Sequence, residues 1–101
     1  MSAATKRALV EALARGGAVQ VHVDTREFGV DVPKHLQGQA DVAVKVSHRF
    51  DSGALIVGVE YLAQRLTFAG VAHHVRIPWG AVRAVRTRSS VTLFEADHGR
   101  A

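Results

Sequence analysis

The chain has 101 residues, 48% of them hydrophobic and 22% charged, with 13 Lys and Arg against 9 Asp and Glu, a net charge of +4 and no cysteine. That length holds one domain with one modest core, and that apolar content excludes a disordered chain. The missing cysteines remove disulfides, thiolate metal sites and thiol nucleophiles together and fit a reducing cytoplasm, while the basic excess favours anionic partners without bearing on fold.

"MSAATKRALVEALARGG", residues 1–17, carries early basic residues as a secretion signal does, but Glu11 interrupts its apolar stretch after "ALV". The most apolar run elsewhere, "GALIVGV", is too short to span a bilayer. A cytoplasmic protein with no membrane partner is expected. Residues 3–15 read as an amphipathic helix: Leu9 and Leu13 stand at i and i+4, and Val10 and Ala12 widen the stripe. Ser2 or Thr5 caps its start and Gly16-Gly17 stops it. So short a helix needs tertiary packing, either on a sheet or against a second copy of itself.

From Val19 the period is two. "VQVHVD" sets Val19, Val21 and Val23 against Gln20, His22 and Asp24, and "DVAVKVS" does the same with Val42, Val44 and Val46. "LIVGVEY" aligns Leu55, Val57, Val59 and Tyr61, "AQRLTF" aligns Leu66 and Phe68, and "VAHHVRI" aligns Val71, His73, Val75 and Ile77. "VTLFEA" closes the series with Val91, Leu93 and Glu95 opposite Thr92, Phe94 and Ala96. Turn signals at Phe28-Gly29, Gln37-Gly38, Asp51-Ser52-Gly53 and Ala69-Gly70 separate the runs. Between the last two strands, "IPWGAVRAVRTR" breaks at Pro78. The spacing of Ala81-Val82 and Ala84-Val85 then predicts one short helical turn. The pattern predicts a mainly β chain with one N-terminal helix, folded as a strongly bent sheet or small barrel of about six strands. Residues 1–17 are the helix, 18–96 the β body and 97–101 a frayed tail.

Little in the chain suggests catalysis or a metal. His73 and His74 are adjacent and point to opposite faces of a strand, and His22, His35, His48 and His98 show no ligand spacing. Ser47-His48 sits beside a turn with no nucleophile elbow, and Asp24, Glu27 and Asp31 read as a solvated loop. No phosphate-binding glycine loop is present, so neither an enzyme nor a cofactor is expected. Arg76, Arg83, Arg86 and Arg88, with Arg65, offer a cationic face for RNA or DNA, although the one nearby aromatic, Trp79, reads as a corner of the core. A bent sheet that does not close offers instead an edge for strand addition by an extended peptide; periodicity does not say which edge is free.

Taken in order, the motifs resemble the stringent starvation protein B (SspB) family, adaptors that deliver tagged proteins to the ClpXP protease. The family runs from a helix through a "VxxxxPGVxVP"-like segment, "IxLNIAPRAV" and "FGGxxxxVxVPxxAVxAIYAR" to "MFE". This chain has "HVDTREFGVDVP" at 22–33, "VAVKVSHRF" at 42–50, "FAGVAHHVRIPWGAVRAVRTR" at 68–88 and "LFE" at 93–95. The resemblance implies an Sm-like bent barrel, a homodimer formed through the helix stripe of Leu9, Val10 and Leu13, and a groove for an unstructured degron tag such as ssrA. By position, Arg65, Leu66, Thr67 and Phe68, with Val85, Arg86, Val91 and Thr92, match the groove. Arg65 and Arg86 are placed to meet acidic tag residues or rim charges. Four features depart from the family. Arg86 replaces an aromatic residue, the loop after Arg88 is shorter and lacks "ENGAG", and the region after Pro33 is also shorter. Up to Ala101 there is no counterpart of the family's acidic tail and ClpX-docking module.

Overall fold

A computed structural model describes residues 2–94. Helix α1 spans Ala3–Ala14, and the Ser2 hydroxyl accepts the Thr5 N–H at 3.2 Å as its N-cap. The strands are β1 (Val19–Val23), β2 (Val42–Val46), β3 (Ile56–Val57), β4 (Tyr61–Phe68), β5 (Val71–Pro78), β6 (Val82–Arg86) and β7 (Val91–Leu93). They form two antiparallel sheets, ordered β2-β1-β6-β7 and β3-β4-β5. The fold is therefore mainly β with one N-terminal helix. The sheets do not close into a barrel. A single bridge, Asp31 to Arg76, runs along the outer edge of β5.

The core follows the period-two rows. Val19, Val21 and Val23, with Val42, Val44 and Val46, fill the inner face of the first sheet; Leu62, Leu66, Val75 and Ile77 fill that of the second. Trp79 is buried at the corner between them, as expected, and its indole N–H donates to Gly58 O at 3.0 Å. Helix α1 lays Val10 and Ala14 on this core, with Leu9 and Leu13 partly covered against it. The stripe is thus packed within its own chain, with Val10 fully buried. Lys6 secures the helix. Its buried Nζ donates to Trp79 O at 3.0 Å and Val82 O at 3.2 Å and lies 5.3 Å from the Phe94 ring centroid.

Three sequence expectations need correction. Among the described residues there are seven strands rather than about six, because residues 82–86 form β6 and the helical turn is confined to Trp79–Ala81. The cause is a bulge. The register with β1 shifts between His22↔Ala84 and Val23↔Val82, so Arg83 is an extra residue. Val82 and Val85 consequently both face the core three positions apart, a spacing that imitates a helix.

Second, the run 55–61 is not one strand. Gly58 N–H bonds Tyr61 O at 2.9 Å, turning the chain so that Val59 is 72% exposed and Tyr61 opens β4. A side chain at Gly58 would meet Tyr61 O at 2.9 Å, which favours glycine in that turn. Third, the apolar row of β5 leaves the core at its start: Val71 is 69% exposed beside the tight Ala69–Gly70 turn, where φ is 50° and 84°. At β7 it is Phe94, just past the strand's end, that turns inward, leaving Val91 and Leu93 exposed. The end of the expected β body at 95–96, the tail 97–101 and His98 lie outside the described residues.

Candidate functional site: an open seam between the sheets

Hydrogen-bond alternation along each ladder fixes which way every backbone group points. Phe94 N–H donates to Arg83 O at 2.7 Å and Thr87 N–H to Ser90 O at 2.8 Å, so Arg83, Val85 and Thr87 face β7. Ala84 and Arg86 then face β1, where Gln20 and His22 answer them, and Val19, Val21 and Val23 face β2. On β2 this leaves the N–H and C=O groups of Ala43 and Lys45 on the outer edge.

The second sheet is read the same way. Asp31 and Arg76 exchange backbone bonds of 2.8 and 3.0 Å, so Arg76 faces away from β4. Ala63, Arg65 and Thr67 of β4 therefore face away from β5. The short β3 pairs with Leu62 and Ala63, Gly53 lies against the backbone of Arg65, and Thr67 presents its backbone beyond them.

These two edges flank one cleft of about 380 Å³, with Phe50, Leu66 and Phe68 among its apolar lining beside Ala43, Lys45 and Thr67. The His35 ring meets Phe68 edge-on. One end of the cleft is closed by Gln64, whose side chain is fully buried. Its Oε1 accepts the Ser47 N–H at 3.1 Å, and its Nε2 donates to Ser47 O at 2.6 Å and Gly53 O at 2.8 Å. The carboxamide thus stands in for a strand residue at the end of β2, while Lys45 and Ala43 beyond it have no such partner.

Of the residues assigned to the groove by resemblance, Leu66, Thr67 and Phe68 of β4 line this seam, while Arg65 of the same strand lies just outside it, with Gly53 against its backbone. The other four do not join them. Val85 is fully buried in the core, Thr92 is half-buried on β7, and Arg86 and Val91 face solvent on the first sheet. β7 is the edge of that sheet opposite β2. Arg86 instead lines a second, larger cleft of about 840 Å³, together with Lys45, Gln20, Arg88 and Leu13. Sequence reasoning missed Ala43, Lys45 and Gln64. Gln64 left a signal, being the one polar residue in the row of Leu62, Leu66 and Phe68.

The arginines do not form a single face. Arg83 is tied to Glu27 and, at 3.5 Å, to Asp24, while Arg26 grips Asp24 through two 2.9 Å bonds. The Arg26 hydrogen bonds hold the Asp24 carboxyl down at about 2, against the opposing effect of desolvation. Asp24 is therefore a buried latch, where a solvated loop was expected. Arg76 lies over the Tyr61 ring at 5.3 Å, and Arg65 stands opposite His74 on the same outer face. His22 and His73 pair with Asp41 and Asp31 at 2.9 and 2.8 Å, and among the described residues no three His, Asp or Glu side chains converge as a metal site would need. Ser47 is buried, and its Oγ accepts the Arg49 N–H at 3.0 Å in a turn. No helix among the described residues is long and apolar enough to cross a membrane.

No protein-family model matches the chain, and no curated protein matches it either.

Proposed function

We propose that this chain is a non-enzymatic, peptide-binding adaptor of SspB-like fold that captures an unstructured, extended tag in the seam between β2 and β4. The observation carrying this reading is the pair of facing strand edges, Ala43 and Lys45 on one side and Thr67 on the other, flanking a cleft partly lined by apolar side chains. An extended segment laid there gains main-chain bonds from both edges and apolar contacts for alternate side chains. As an added strand it joins the two sheets into the bent, Sm-like barrel that the motif order suggests. Delivery of an ssrA-like tag to a AAA+ protease such as ClpXP, residence in the cytoplasm and pairing of two copies rest on the motif resemblance; for the pairing, Leu9 and Leu13 keep an exposed flank, while Val10 is buried in its own core.

Titration of fluorescent C-terminal tag peptides tests the reading, with binding expected at micromolar concentration. Thr67→Pro removes a seam-facing N–H without breaking the β4–β5 ladder, and should weaken binding about fivefold or more. An adaptor that binds no extended peptide below the millimolar range is ruled out. A second reading, a small RNA- or DNA-binding protein, is favoured by Arg65, Arg76 and Tyr61 sharing the solvent face of the second sheet. Its mark is an oligonucleotide affinity that falls steeply as salt rises.

A further inference from the structure

The larger cleft on the outer face of the first sheet has a composition unlike that of the seam. Lys45, Gln20 and Arg86 form one cross-strand row over β2, β1 and β6, since Lys45↔Gln20 and Gln20↔Arg86 are direct partners. Arg88 and the hydroxyl residues Thr87 and Ser89 continue the lining beyond β6. Lys45, Arg86 and Arg88 are all exposed and, among the described residues, have no carboxylate partner, unlike Arg26 and Arg83. Among the described residues, no acidic and no aromatic residue lines the cleft. A site built this way attracts negative charge but offers no ring on which a nucleobase can stack.

The two clefts meet at one residue. Lys45 lines both, its backbone on the open edge of β2 and its side chain on the outer face of the sheet. A chain leaving the seam at Lys45 is led across the row toward Arg86. Two strand spacings separate Lys45 from Arg86, roughly 10 Å, a distance covered by about three extended residues. We infer that the cationic cleft is a flanking subsite that selects peptides with two or more Asp or Glu residues just outside the segment held in the seam. This rests on the seam being a peptide site, and adds to it a substrate class, the acid-flanked extended peptide.

The test uses two fluorescent peptides that share one apolar, extended segment and differ only in flank, Asp/Glu in one and Asn/Gln in the other. Anisotropy titrations are run at low and high salt on the wild-type chain and on the exposed double variant Arg86→Gln/Arg88→Gln. The acidic peptide should bind about fivefold more tightly at low salt, as two exposed ion pairs allow, and salt should erode the difference. The double variant should abolish the difference while leaving the neutral peptide's affinity unchanged. Equal affinities for the two peptides, or a preference that survives the double variant, overturn the subsite and leave the seam standing. Failure of both peptides to bind overturns the seam and the subsite together. A single-stranded oligonucleotide that binds with Arg86 and Arg88 dependence, where the acidic flank gives no advantage, makes the cleft a phosphate site and also overturns the inference.

Discussion

Replacing Gln64 by leucine keeps much of the bulk of a fully buried side chain and removes all three of its hydrogen bonds. Two of those bonds serve the N–H and C=O of Ser47, a residue 2% exposed, so both groups lose their partner where water has little access. Each buried backbone group left without a partner costs about 1–3 kcal/mol, and the Gly53 carbonyl, less enclosed, adds little. The expected destabilisation is about 2–6 kcal/mol, a large share of the roughly 5–15 kcal/mol that holds a domain of this size together. Urea denaturation followed by circular dichroism measures it, with the midpoint falling and the m-value unchanged. Gln64→Glu is the companion variant. Its carboxylate still accepts from Ser47 N–H but turns a bare oxygen on the Ser47 and Gly53 carbonyls, so it should be at least as damaging at neutral pH. A loss below about 0.5 kcal/mol for Gln64→Leu is what an ordinary surface position gives. That result would refute the reasoning, showing that the bridge between β2 and β4 does not hold the closed end of the seam.

Two other predictions concern stability. Asp24 has a carboxyl held near 2 in the folded chain, below its ordinary value of 3.8, so it stabilises the fold fully above about pH 4 and loses that contribution as pH falls toward 2; Asp24→Asn should flatten this acid limb in melting temperatures taken from pH 5 to pH 2. Lys6→Met leaves the Trp79 and Val82 carbonyls without their buried donor and should cost about 2–3 kcal/mol by thermal or urea melting.

The valine rows of β1 and β2 were legible because both strands bury one face and expose the other, which prints alternation directly into the sequence. The stretch 82–86 was not, because a bulge adds a residue and turns a period of two into a spacing of three. Lys6 escaped notice for a different reason. A lysine near the start of a helix reads as solvated, and only the arrival of two distant carbonyls and the Phe94 ring makes its burial tolerable. For the candidate site, one half could be placed on β4 by motif order, yet the strand across the cleft from it is β2, while β6 and β7 lie elsewhere in the first sheet. Which strand edges stay open depends on sheet order, a non-local property that alternation along single strands does not encode.

The anchoring of α1 by Lys6 also sets an order of events. The carbonyls that receive its ammonium group lie 73 and 76 residues further along the chain. On the ribosome the helix emerges long before Trp79 and Val82 exist, and until then its Leu9, Val10 and Leu13 stripe lacks the corner it packs beside. Long-range closure of this kind is slow and leaves apolar surface uncovered meanwhile. An element synthesised well before its docking corner is thus among the last to dock, and a nascent chain halted before residue 79 displays a bare amphipathic helix to whatever chaperone or protease meets it.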